Sequence, residues 1–160
     1  RAALTKAGLK DVQTYIQSGN VIAASELTQT ALERLVRQVI RKNFGGDIAV
    51  VARTAQQFAR VLKRNPFADA DGARLYFSLL AIEPDKKLLR ELLSTDFSPD
   101  QVKYVNNTIY TLYATKHSDS KFNNNFFERK LKVTATTRNL NTMLKLVALA
   151  AVQQDAPANG

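Results

Sequence analysis

The sequence predicts an α+β fold made of two β-α-β-β-α-β halves, the first lacking its leading strand. Three observations lead there. Short alternating segments pair off around turns rich in Gly and Asn. Between them lie segments whose apolar residues recur every three or four positions. That order of elements occurs twice along 160 residues, the first time incomplete at its front.

The chain opens inside a helical pattern over residues 1–8. Strands are expected at about 11–16 and 20–24, around a turn at Ser18-Gly19-Asn20, since Gly and Asn tolerate the positive φ of a tight hairpin. A helix follows in "LTQTALERLVRQVIRKNF". Leu32, Leu35, Val36, Val39 and Ile40 form its apolar face, Thr28 is its N-cap, and Gly45-Gly46 stops it. "DIAVVAR" then reads as a strand. The order is α-β-β-α-β, so one strand ahead of Arg1 would complete the unit. A connecting helix is expected at about 54–63, with Ala55, Phe58, Ala59 and Leu62 on one face.

"RNPFADADG" breaks the pattern and reads as a linker. The second half is complete. "ARLYFSLLA" is a strand and "PDKKLLRELLS" a helix that opens on Pro84. "QVKYV" and "TIYTLYA" are strands joined at Asn106-Asn107, a helix covers about 122–131, and a strand covers 132–135. A further helix is expected over 139–152. This is the ferredoxin-like order. The expected organisation is a first half with its connecting helix over 1–64, a linker at 65–73, a second half with C-terminal helix over 74–152, and a flexible tail at 153–160.

A 45% apolar share with 23% charged residues suits a chain that buries its own core. Cysteine is absent, which excludes disulfides, thiolate metal sites and cysteine nucleophiles. No apolar run reaches the roughly 20 residues that span a bilayer. A cytoplasmic protein without membrane contact is the expectation. The net charge of +9 lies mainly in residues 1–53 and 114–160, and it favours anionic partners through long-range attraction. Arg34, Arg37 and Arg41 share one face of the second helix and read as a solvated stripe.

The catalytic inventory is thin. His117 is the one histidine, in a loop with Lys116 and Asp119. No cluster has metal-ligand spacing, "DADG" at 69–72 reads as a turn, and no glycine-rich phosphate motif occurs. No metal and no cofactor are expected. Tyr76 and Phe77 alternate in the first strand of the second half, as do Ile109 and Tyr110 in its third. Such aromatics stack on bases in some RNA-binding sheets, but here the sequence favours core or half-buried tyrosines.

"TATTRNLNTMLKL", residues 134–146, sets a polar cluster against an apolar helix. Leu140, Met143, Leu144, Val147 and Ala151 form a stripe that Leu146 and Leu149 widen, so deep packing is expected. Arg138, Asn141, Thr142 and Lys145 fall on one narrow polar stripe, and Asn139 or Thr137 can cap the first turn. Free amides at a helix start beside Arg138 suit an anion.

"TYIQSGNVI" (14–22), "NPF" (65–67) and "SKFNNNFFERKLKVTATTRNLNTMLKL" (120–146) together resemble the bacterial domain-of-unknown-function family 1697. Leu140 stands where that family has tryptophan. The resemblance implies an α+β fold of ferredoxin-like halves in bacterial, cytoplasmic proteins, and no activity. It marks Gln17, Ser18, Gly19, Asn20, Asn65, Ser120, Lys121, Thr137, Arg138, Asn139, Asn141, Thr142 and Lys145 as recurring polar positions. The expected function is a non-catalytic module. It would bind an anionic ligand, nucleic acid or a phosphorylated small molecule, in a basic cleft between the halves. The expected contacts are Ser18, Gly19, Asn20, Lys121, Thr137, Arg138, Asn139, Asn141, Thr142 and Lys145. One alternative is an enzyme with a pocket around Arg138, Lys121 and His117. Another is an oligomerising or protein-interaction domain that forms homo-oligomers.

Overall fold

The computed structural model describes residues 1–15 and 19–155. Among these residues the fold is mixed α+β, with six helices and two antiparallel sheets. The chain forms two compact units, Arg1–Ala59 with Leu144–Gly160, and Arg60–Met143.

In the first unit, α1 (Ala2–Lys6) leads to the hairpin β1 (Lys10–Tyr15) and β2 (Asn20–Ala24), then to α2 (Gln29–Phe44). The strands pair in antiparallel register, Gln13 opposite Ile22 and Tyr15 opposite Asn20. A bulge near Asp11 breaks the ladder, with Asp11 itself at φ 51°. Thr28 caps α2 by accepting a hydrogen bond from the Ala31 amide at 3.3 Å. Gly45 ends it in the left-handed conformation at φ 77°, which only glycine adopts without strain. Val36 faces inward onto Leu4, Leu9 and Val12, and Leu32, Leu35, Val39 and Ile40 border that cluster. Arg37, by contrast, lies in solvent and forms a two-pronged ion pair with Asp47, both contacts 2.6 Å, which holds the Asp47 carboxyl below its ordinary pKa.

The strand expected at "DIAVVAR" does not form. Residues 45–54 carry no regular structure, and among the described residues the first sheet has two strands. A strand needs a ladder partner. In a β-α-β-β-α-β unit the last strand pairs on the first, and among the described residues no strand pairs with this segment. The Ala52 amide instead donates to Glu33 Oε1 of α2 at 2.8 Å. Val50 still packs on the first core. Ile48, by contrast, is 56% exposed, so the segment without a ladder is only partly covered.

In the second unit, β3 (Leu75–Leu80) is followed by α4 (Lys86–Leu93), β4 (Gln101–Val105), β5 (Thr108–Leu112), α5 (Asn124–Leu131) and β6 (Ala135–Asn139). The sheet order is β4-β5-β3-β6, every pair antiparallel. Asn106 and Asn107 make the hairpin turn with φ of 44° and 59°, the pair of positive values that a two-residue turn demands. Asp85 caps α4, accepting from the amides of Lys87 and Leu88. Residues 65–73, expected as a linker, carry Phe67, which is buried beneath Lys103.

Alternation along β3 divides its side chains between two faces. Leu80 joins Ile109 and Ala135 beneath α4 and α5, against Leu92, Phe126, Phe127 and Leu131. Phe77 stacks edge-on with Tyr110 at 5.4 Å, and the Tyr110 hydroxyl donates to the Val61 carbonyl at 2.7 Å. Phe77 and Tyr110 are 0% and 1% exposed and belong to the core, whereas Tyr76 is half-buried.

The final helix, α6 (Leu140–Asp155), begins one residue later than expected and extends through Asp155. Residues 156–160 of the expected tail lie outside the described residues. Deep packing holds only in part. Met143 and Leu146 are buried, but Leu144 and Val152 are 49% and 68% exposed, because the apolar residues surround the helix instead of sharing one stripe. Among the described residues no helix is long and apolar enough to cross a membrane.

Phe127 fills the second core completely, so Phe127→Ala is expected to cost that unit about 3–5 kcal/mol, read from urea unfolding. Burial raises the Tyr110 phenol to about 12 and pushes the Tyr113 phenol up as well. Both are held protonated in the fold, and tyrosine in the unfolded chain titrates near 10. Stability from this source is complete below about pH 10 and falls as pH rises toward 12, because the unfolded chain releases protons that the fold retains. Tyr110→Phe is expected to flatten that alkaline loss in pH-dependent denaturation.

Candidate functional site

The end of the second sheet where β5 and β6 finish and β3 begins opens into two adjoining cavities of about 650 and 360 Å³. Tyr76 and His117 line both. The larger adds Arg74 and the loop Ala114–Asp119, and the smaller adds Asn123, Asn124 and Asn125 from the start of α5 with Thr136, Thr137 and Arg138 of β6.

The loop is held from below by Asp100. One carboxylate oxygen accepts the Ala114 amide and the other the Ser120 hydroxyl, each at 2.8 Å. Ser120 Oγ in turn accepts the Phe122 amide at 3.1 Å. Arg74 donates from Nη1 to the Ala114 carbonyl at 2.6 Å and from Nε to Asp71, the residue that caps the turn read in "DADG". Within this frame the His117 ring lies parallel to Tyr76, 4.4 Å away at 11°, and Tyr113 meets both rings edge-on. Tyr113 is fixed by donating to the Phe122 carbonyl at 2.5 Å.

His117 Nε2 is closed off from solvent and has no hydrogen-bond partner. Leaving such a group unpaired costs about 1–3 kcal/mol. An aromatic pair returns about 0.5–1.5 kcal/mol beyond its buried area. The two nearly cancel, so the stack on Tyr76 is a weak hold.

The start of α5 is pinned by side chains. Asn123 caps the helix by accepting the Phe126 amide at 3.0 Å, which leaves the Asn124 and Asn125 amides without partners inside the helix. Asn124 Oδ1 accepts from the Thr137 hydroxyl at 2.8 Å, and its Nδ2 donates to the Ala135 carbonyl and to Glu128. A hydroxyl has one proton, and that of Thr137 goes to Asn124. The 2.7 Å contact between Ser78 and Thr137 is therefore a donation from Ser78. Arg138 donates from Nη1 to Thr136 Oγ1 and to the Thr137 carbonyl, each at 2.8 Å, and burial lowers its guanidinium pKa from the ordinary value.

The residues expected to form the site separate. Thr137 and Arg138 line the smaller cavity. Arg138 belongs to β6, opposite Phe77, and not to the helix start, so the expected stripe of Arg138, Asn141, Thr142 and Lys145 does not exist. The expected strand at 132–135 was placed too early: Lys132 takes the left-handed conformation that ends α5, and the ladder on β3 runs on to Asn139. Asn139 caps α6 by accepting the Thr142 amide at 2.8 Å, and Thr142 is buried. Asn141 and Lys145 are exposed and line neither cavity. Lys121 is also exposed, its Nζ 5.2 Å over the Phe122 ring, so of the expected pocket residues Arg138, Lys121 and His117 only the first and last line the smaller cavity. Gly19 turns the first hairpin at φ 87°, Asn20 is buried with Nδ2 donating to the Tyr15 carbonyl, and Ser18 lies outside the described residues. The three asparagines 123–125 escaped the sequence reading as site residues, although a polar triplet directly before Phe126-Phe127 marks a helix start. Among the described residues no three His, Asp or Glu side chains gather as a metal site.

This is an α+β protein with a polar groove at one end of its second sheet. The family described as "Protein of unknown function (DUF1697)" matches residues 1–110, and the chain belongs to it. The groove's β6 and α5 residues lie beyond the matched stretch. No curated protein matches the sequence significantly. The solved structure of a conserved bacterial protein, SP0830 from Streptococcus pneumoniae, is similar with a TM-score of 0.76 and 20% identity, covering 94% of this chain and 86% of that one. At that identity the likeness is one of fold.

Asn124 serves three partners at once. Asn124→Ala is expected to destabilise the second unit by about 1–3 kcal/mol in urea unfolding, and the exposed Asn125→Ala by less than about 0.5 kcal/mol.

Proposed function

We propose that this chain is a non-catalytic module that binds a small phosphate-bearing ligand in the groove of its second unit. The observation that carries the reading is the lining of the smaller cavity. There Arg138, Thr136 and Thr137 of β6 and Asn124 and Asn125 at the start of α5 line one space of about 360 Å³. A helix start offers about half a positive charge and unpaired N–H groups, and an arginine adds a full charge in a fixed fork. On the adjoining wall Asp119 counters Lys116 and the ion pair with Asp71 counters Arg74, so Arg138 carries the local positive charge. His117, Ser118 and Asp119 line the larger cavity, but His117 Nε2 has no hydrogen-bond partner and so activates neither neighbour in this geometry, which favours binding over catalysis.

The matching fold reading is that the second unit is ferredoxin-like. Its support is the β-α-β-β-α-β order with sheet order β4-β5-β3-β6, in which the two helix-connected strand pairs are each separated by one strand.

Titration calorimetry with pyrophosphate at low salt tests the function. Wild-type protein is expected to bind, Arg138→Ala to bind about 10-fold or more weakly, and Lys121→Ala to bind unchanged, because Lys121 lies off the groove. Equal loss in both variants would indicate general surface charge and not this site.

A further inference from the structure

Tyr76 presents its ring at the wall common to both cavities, and the partner of that ring is a histidine of the same chain. The pairing is poor for the histidine. Its Nε2 is enclosed and unbonded, and the ring is carried by a three-residue turn, His117–Asp119, whose anchors are at either side: the Ala114 amide and Ser120 hydroxyl on Asp100. The His117 side chain itself has no hydrogen bond to lose on rotating out. Once in water, Nε2 regains a partner. What remains behind is an uncovered tyrosine face, flanked on one side by the start of α5 and Arg138, and on the other by the loop cavity.

We propose that this Tyr76 face is the seat for a planar aromatic ring of the ligand, that the ligand is a mononucleotide, and that His117 is a displaceable plug occupying the seat when it is empty. The proposal rests on the phosphate-binding reading and specifies the ligand within it. The chemistry divides between the two cavities. The smaller, with Arg138 and the Asn124 and Asn125 amides, takes the phosphate. The larger, bounded by Arg74, Tyr76 and the 114–119 loop, takes the base, which stacks with Tyr76 in the place of the imidazole. Both cavities fall in the usual range for small-molecule sites, about 300–1,000 Å³. A purine offers more stacking surface than an imidazole, and every base has a π-face, so the seat favours a base over the plug without selecting one base. A plug taxes affinity in proportion to the time it occupies the seat. Removing it therefore tightens binding, the reverse of what loss of a contact residue does.

The experiment is titration of the full chain with adenosine monophosphate, ribose 5-phosphate and inorganic phosphate, for wild type, His117→Ala and Tyr76→Leu. Circular dichroism and thermal unfolding confirm that each variant folds, and Tyr76→Phe serves as the conservative variant should Tyr76→Leu not fold. Wild type is expected to bind the nucleotide more tightly than ribose 5-phosphate. His117→Ala should bind the nucleotide about 3-fold or more tightly than wild type and leave inorganic phosphate unchanged. Tyr76→Leu should lose about 10-fold or more for the nucleotide and bind ribose 5-phosphate as before, with Tyr76→Phe retaining the preference. Weaker or unchanged nucleotide binding in His117→Ala overturns the plug. Equal affinity for nucleotide and ribose 5-phosphate in wild type overturns the ring seat and leaves phosphate binding standing. Failure of all three ligands to bind removes the phosphate reading and this proposal together. A short single-stranded oligonucleotide that binds far more tightly than the monophosphate, with a steep salt dependence, overturns the assignment to a mononucleotide.

Discussion

Ser78 is 1% exposed in the middle of β3, and its hydroxyl donates a hydrogen bond to Thr137 Oγ1. The Thr137 hydroxyl in turn donates a hydrogen bond to Asn124 Oδ1, and the Asn124 Nδ2 donates to the Ala135 carbonyl and to Glu128. Every link donates in one direction, so no member can be replaced without stranding the next. A satisfied buried chain of this kind is rigid, and a half-satisfied one is worse than an apolar core. It ties β6 and the first turn of α5 to β3, which lies far from both in the sequence. The groove exists because that turn is fixed beside the sheet end.

Apolar packing alone would not have placed it. Leu80, Ile109, Phe126, Phe127 and Leu131 set how close α5 lies to the sheet. Hydrophobic contact is non-directional, however, and would tolerate a helix rotated or slid along its axis. Asn124 removes that freedom. Asp100 does the same for the opposite wall by gripping the 114–122 loop at two points. Between two walls fixed by hydrogen bonds lies His117, fixed by none through Nε2. The contrast distinguishes scaffold from moving part.

Local chemistry was readable in the sequence where it was self-sufficient. Thr28 and Gly45 bound α2 as expected, Asn106-Asn107 turns its hairpin, and the strands beside it follow their alternation. The family was readable as well, and the match over residues 1–110 takes in the motifs at 14–22 and 65–67. What failed needed a partner from elsewhere. "DIAVVAR" has the composition of a strand and no ladder to join. Arg138 was read into a helix because Thr137 and Asn139 are good caps. Asn139 does cap, but pairing with β3 claims Arg138 for the strand. That one assignment separated the expected polar stripe, leaving Thr137 and Arg138 at the groove and Asn141 and Lys145 outside it. His117 and Tyr76 were each noted singly in the sequence, 41 positions apart, and nothing in it shows that their rings stack.

The central claim is that the groove at the start of α5 is where ligand binds. Amide chemical-shift mapping during titration with adenosine monophosphate tests it most directly, because it reports position without perturbing any residue. The account predicts saturable shifts at Tyr76, His117, Asn124, Asn125 and Arg138, with small changes over α2 and the first hairpin. Shifts concentrated on the arginine face of α2, around Arg34, Arg37 and Arg41, with none at the start of α5, would contradict it.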